Sequence, residues 1–259
     1  MDVTALVLDD GDRVTAWGRL IQDHAGTWFE PPLPKTLIMI QDPPVAAHWP
    51  GAVPVSGAAM QNVQDFRQRN GLTEGWATLS GIWSASQLQV DRQDPVRDAE
   101  VDLSEEFPDW RVPPGVPPDG GWPRWPDDEH RLEYNIGDLT DTGAAVGVTV
   151  FRPGRRQDVL VVAASDPDAV DAWLRPQLGA RLCVVPTRWT RTELRTVREQ
   201  ISARWDDWHV YGAGEINASD GQPFVTVNLA RILPEVAVWA TPLQDGIVTL
   251  RPWIAPVRA

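Results

Sequence analysis

Lysine is almost missing from this chain: Lys35 is the only one among 23 basic residues, so arginine carries the positive charge. Tyrosine and phenylalanine are scarce too, at 2 and 5, against 14 tryptophans. Arg and Trp are enriched at interaction hot spots, although a compositional bias of the genome gives the same pattern with no functional content. Cysteine is reduced to Cys183, which excludes an intramolecular disulfide framework and a cysteine-rich zinc site. Within Leu182-Cys183-Val184-Val185 that thiol is expected to be buried and inert. No run of 18 apolar residues occurs, which excludes a spanning helix, so no membrane partner is expected. Residues 1–12 begin Met-Asp and hold four acidic side chains; no signal peptide is expected, and the cytoplasm is the expected compartment.

Net positive charge is also missing. The chain carries −13 overall, divided as −5 over 1–95, −6 over 96–131 and −2 over 132–259. Polyphosphate repels such a chain, so duplex DNA or RNA is disfavoured as a partner. Catalytic strings are equally sparse. Asp141-Thr142-Gly143-Ala144 spells an aspartic-protease half-site, but that chemistry needs a paired carboxylate. Leu139-Thr140 is not the apolar lead-in of such a site, and no second copy exists, so the string reads as a turn before a strand. Gly212-Ala213-Gly214 lacks the third glycine and the following helix of a dinucleotide site; a bend or bulge is expected. His24, His48, His130 and His209 are scattered without ligand spacing. No nucleophile elbow, P-loop or kinase string occurs. No catalytic, cofactor-binding or metal-ligating residue is assigned, and no cofactor is expected.

What the chain does have is a near-copy of itself. Residues 159–188 align without a gap on 225–254, at an offset of 66, with seven identities in 30 positions. Roughly two would follow from average composition. Val159, Val161, Ala164, Val170, Trp173, Pro176 and Pro186 recur as Val225, Val227, Ala230, Val236, Trp239, Pro242 and Pro252. Each copy reads as a β-β-α-β unit, with Trp173 and Trp239 expected to pin helix to sheet. Asp166-Pro167 and Pro234-Glu235 open the two crossover helices. Between the copies, Thr190-Arg191-Thr192-Glu193 is a capping box. The stripe Leu194, Val197, Ile201, Trp205 and Trp208 behind it predicts one long helix over 191–208.

The first 95 residues read as β-rich. Alternation over 13–21, a turn at Asp23–Gly26, a short strand at 53–57, a short helix within 59–69 and a hairpin of 76–83 with 87–90 follow in order. That order, with Gly18 and Gly81 in mid-strand, resembles a five-stranded OB-type barrel. The fold class expected is therefore α+β: an OB-like β-barrel over 1–95, a Pro/Trp-rich acidic linker over 96–131 and a duplicated, pseudo-twofold domain over 132–259. The repeat units lie at about 145–189 and 210–255. Linker prolines forbid helix and sheet interior, and Trp110, Trp122 and Trp125 predict that it lies in a groove between the folded regions.

Pro117-Pro118-Asp119-Gly120-Gly121-Trp122, with Leu182-Cys183-Val184 and Thr190-x-x-Glu193-Leu194, is similar to an actinobacterial family. Its members carry a Pro-x-Gly-Gly-Trp linker ahead of a domain with these strings. The resemblance spans about residues 112–259 and implies no site residues. Where that family tends to place a cysteine before Gly-Gly-Trp, Pro113 and Pro114 stand here, so any role for a cysteine pair is lost.

The best binding candidates are Trp17, Trp28 and Trp83 on predicted barrel strands, with Arg19 nearby. Such residues stack on bases or on flat partner side chains, unless they fill the barrel or cover it against the linker. The function expected is that of a non-enzymatic binding or scaffold protein with a protein partner. The alternatives are single-stranded nucleic-acid binding through the barrel, or a hydrolase with an acidic site between the domains. Nothing in the sequence sets the oligomeric state.

Overall fold

The computed structural model describes residues 3–32, 48–69, 71–96, 109–117, 119–124, 140 and 143–257. Among these, strands dominate and three α-helices occur, an α+β arrangement. Lys35, Trp125, His130 and the Asp141-Thr142 pair lie outside the described residues.

The hairpin of β1 (Arg13–Gln22) and β2 (Thr27–Glu30) turns where Asp23 Oδ1 accepts from the Ala25 and Gly26 N–H groups. The same sheet holds β3 (Val53–Ser56), β4 (Gln64–Arg69), β5 (Leu72–Ser84) and β6 (Gln87–Pro95). Pairings run β1–β2–β3–β6–β5, and β5 also pairs with β1, from Arg13↔Ile82 to Gln22↔Thr73. Only β3 and β6 are parallel. Alternation sends Val14, Ala16, Leu20, Phe29, Ala77, Leu79 and Trp83 into one core. Gly81 sits at a register shift opposite β6, and a Cβ at Gly18 would strike the Glu30 carbonyl and the Trp253 ring. The helix expected within 59–69 is only a 3-10 turn at Met60–Asn62, followed by β4. The reason lies at Gly71, whose φ of +81° turns the chain so that β4 returns along β5.

Two further sheets share one topology. In the first, β7 (Ala145–Gly154) pairs antiparallel with β8 (Gln157–Ala164), and helix α1 (Pro167–Leu178) crosses over to a parallel β9 (Leu182–Pro186). After helix α2 (Arg191–Ser202), the second repeats the order with β10 (Val210–Asn217), β11 (Pro223–Leu229), helix α3 (Pro234–Ala240) and β12 (Val248–Pro252). The match slips by one residue at the third strand. Leu160 faces Leu182, but Thr226 faces Thr249 instead of Val248. The expected bulge at Gly212 is present as a register shift between Val210 and Gly212.

Asp166 caps α1 by accepting from the Ala169 N–H, and Thr190 and Glu193 form both bonds of the capping box on α2. Leu194, Val197 and Ile201 face the core, but α2 stops at Ser202 and not near 208. Asp206 and Asp207 would place negative charge on the negative end of a longer helix, and the chain turns at His209 with φ +53°. The two repeat tryptophans are not equivalent. Trp173 is 41% exposed, whereas Trp239 packs on Trp208 at 4.8 Å and donates to Gln200. Only the second unit has α2's final turn beside its helix, so the common position does not give a common role.

The described part of the linker lies on the first repeat sheet and not between the folded regions. Trp110 and Trp122 cover Phe151, Val159, Val161 and Cys183 on the face away from α1. Trp110 donates to the Asn217 carbonyl, and the Gln157 amide donates to the Trp122 carbonyl. The chain ends cross over. Val3–Leu6 pack against the core of the second sheet, and Val7 bridges Ile232. In return Ile254 is fully buried in the core of the six-stranded sheet, Trp253 donates to the Trp17 carbonyl at 2.8 Å, and Pro256 bridges Val14.

Candidate binding face

Residues of β1, β2 and β5 that do not point into the core of the six-stranded sheet form its outer wall. Register pairs Trp17 with Thr78, Arg19 with Trp76 and Ile21 with Glu74; on the other side Arg19 pairs with Glu30 and Ile21 with Trp28. Trp17 and Trp76 are half-buried neighbours, 6.1 Å between ring centroids and inclined at 39°. Beside them, where β6 ends opposite Ala77 and β4 begins opposite Trp76, a depression is lined by Thr78, Arg92, Asp94 and Pro95.

The wall's charges are arranged around Arg19. Its Nε and one terminal nitrogen donate to Glu30 Oε2, and the other donates to Glu74 at 3.2 Å. Glu30 is only 1% exposed, and its second oxygen accepts from the Trp49 N–H at 2.6 Å. A carboxylate so enclosed needs these partners, because an unpaired buried charge is costly. At the rim, Trp28 stacks on His48 with centroids 3.6 Å apart, and His48 Nδ1 lies 3.6 Å from Asp23. Burial pushes the Asp23 carboxyl up, but hydrogen bonds from Ala25, Gly26 and Trp28, with His48 close by, outweigh it and hold it below its ordinary range.

Of the four residues singled out in the sequence, Trp17, Arg19 and Trp28 share this wall. Trp83 does not: it is 5% exposed in the core, with the Arg231 guanidinium 5.5 Å over its ring. Sequence reasoning overlooked Trp76, Glu30 and Glu74. Trp76 could have been found by parity, since it alternates with Ala77 and Leu79, which are buried, and shares its face with Thr78 and Ser80. The contact between the N-terminal sheet and the second repeat joins Trp49 to His209 and Tyr211, and Trp83 to Arg231; it is aromatic and basic in character.

Among the described residues, no group of three His, Cys, Asp or Glu side chains could hold a metal ion. No helix there is long and apolar enough to cross a membrane. Cys183 is buried against the linker, and burial raises its thiol above the ordinary value. Comparisons with family models, curated proteins and solved structures give no match.

Proposed function

We propose that this chain is a non-enzymatic binding protein, cytoplasmic in location, which docks a protein partner on the outer wall of its N-terminal module. The observation that carries this reading is Trp17 and Trp76 side by side next to an open depression. Tryptophan is enriched among the few residues that supply most of the energy of protein interfaces. The same rings would suit single-stranded nucleic acid, but backbone phosphates need free cations. Arg19, the cation between the rings and Glu30, already has its donors on two carboxylates.

The module is proposed to be an OB-type barrel. Its supporting features are the pairing of β5 with both β6 and β1 and the parallel β3–β6 pair. Duplication of the C-terminal unit is supported by two sheets of one topology. Membership of the actinobacterial family belongs to the same proposal. The linker before Gly-Gly-Trp runs beside Cys183, where a Cβ on Gly115 would lie 2.7 Å from the sulfur.

The purified chain is expected to bind no oligothymidylate at low salt and to turn over no substrate in a broad hydrolase panel. Salt-sensitive oligonucleotide binding lost on Trp76→Ala, or turnover lost on mutation of one acidic residue, overturns the proposal.

A further inference from the structure

We infer that His209 is a proton-operated latch: when its ring takes up a proton, the turn at residues 49–51, which leads into β3, lifts off the second repeat. The inference stands apart from the docking wall, since it concerns the seam between the N-terminal sheet and that repeat.

His209 is fixed by the second repeat and covered from the other side of the seam. Its N–H donates to the Asp206 carbonyl and its own carbonyl accepts from the Ala230 N–H, both at 3.1 Å. The backbone is left-handed there, with φ +53°, so a tied turn aims the ring. Trp49 meets that ring edge-on at 6.3 Å, and meets Tyr211 on β10 in the same manner. A Cβ on Gly51 would lie 2.8 Å from the His209 Cβ, so the turn packs directly on the histidine. Within this contact His209 Nδ1 is buried and has no hydrogen-bond partner. A neutral ring can leave a bare lone pair there, but the imidazolium puts an N–H at that atom, and this donor needs an acceptor.

The groups that act on the ring come from several elements. Burial opposes its charge most, followed by Arg231 in the loop between β11 and α3; Glu235 at the start of α3 and Asp207 after α2 favour it. Across the seam the ring meets Trp49 and Gly51, which are uncharged, and Glu30 behind Trp49 is already committed to Arg19. Protonation therefore creates a desolvated cation beside a second one, with a donor left unpaired. Water relieves both costs once the turn moves away. The backbone of His209 is tied down, whereas the turn meets the repeat through its rings, so the turn is the part that yields. Val7 on Ile232 and Pro256 on Val14 keep the two modules joined, which confines the movement to the seam. Acidification then exposes Trp49 and Tyr211, and neutral pH covers them again.

The full-length chain labelled with 5-fluorotryptophan is titrated from neutral to acidic pH by fluorine NMR. Trp49→Phe assigns the Trp49 line, and exposed Trp173 serves as the reference. The Trp49 line is expected to shift in one step centred below pH 6.5, while the Trp173 line and the far-UV circular dichroism stay unchanged. His209→Asn, which keeps a residue tolerant of positive φ, abolishes the step. His48→Asn leaves it in place, although His48 precedes Trp49 in the chain. Glu235→Gln moves the midpoint to lower pH and Arg231→Gln moves it to higher pH. A step that survives His209→Asn, that is lost in His48→Asn, or that appears only as the circular dichroism signal collapses overturns the inference. So does a Trp49 line that stays flat wherever the chain remains folded.

Discussion

Glu30 shows how one side chain can constrain a whole face. Its carboxylate is enclosed beneath Trp49 and Arg19, so any change to Arg19 acts on the fold before it acts on binding. Arg19→Met is expected to cost about 3 kcal/mol in urea unfolding, because it strands a buried charge. Arg13→Met is expected to change little, since its partner Asp91 is half exposed. Equal effects would contradict the account. His209 behaves differently. Burial, and then the Arg231 guanidinium, hold it below its ordinary value of 6.5, against the pull of Glu235 and Asp207. The unfolded chain takes up that proton more readily, so His209's contribution is complete above pH 6.5 and is lost as the pH falls below it. His209→Gln should flatten the stability profile below about pH 6.5; an unaltered slope rules out this role. At this scale the sequence was half legible. Trp76 and Trp83 are seven apart on one strand and must face opposite ways, and the polar Thr78 and Ser80 mark the face of Trp76 as the outer one.

Elements with local chemistry were easy to read, and those decided by neighbours were not. The capping box on α2, the Asp-Pro start of α1 and the β1–β2 turn are written in contiguous residues, and all three are present. The end of α2 and the unlike fates of Trp173 and Trp239 depend on what packs beside them, which no repeat alignment contains. The helix expected within 59–69 gave way to β4, because Gly71 at φ +81° turns β5 back along it. The linker's position on the first repeat sheet is directly testable. Gly115→Cys should form a disulfide with Cys183 under mild oxidation, because its Cβ would lie 2.7 Å from that sulfur. Two free thiols after oxidation would place the linker elsewhere.

For the whole molecule, the crossed chain ends matter most. Val3, Leu6 and Val7 pack on the core of the second repeat, and Trp253, Ile254 and Pro256 on the N-terminal sheet, so each of these two cores takes residues from the far side of the described chain. This organisation was not legible, because a boundary drawn from composition cannot show a terminal segment returning to a distant core. Ile254→Ala, at a fully buried site, should remove about 2–5 kcal/mol and shift one cooperative transition. Loss of the N-terminal sheet ahead of the repeats, seen as two transitions, would contradict the interlock.

The most direct test of the docking wall is photo-crosslinking in an extract of the source cells, from Thr78 beside the tryptophan pair and from exposed Trp173 on α1 as a control. The account predicts a discrete protein adduct from Thr78 alone, lost when Trp76→Ala is added to a folded chain. Equal adducts from both positions, or a nuclease-sensitive adduct at Thr78, would contradict it.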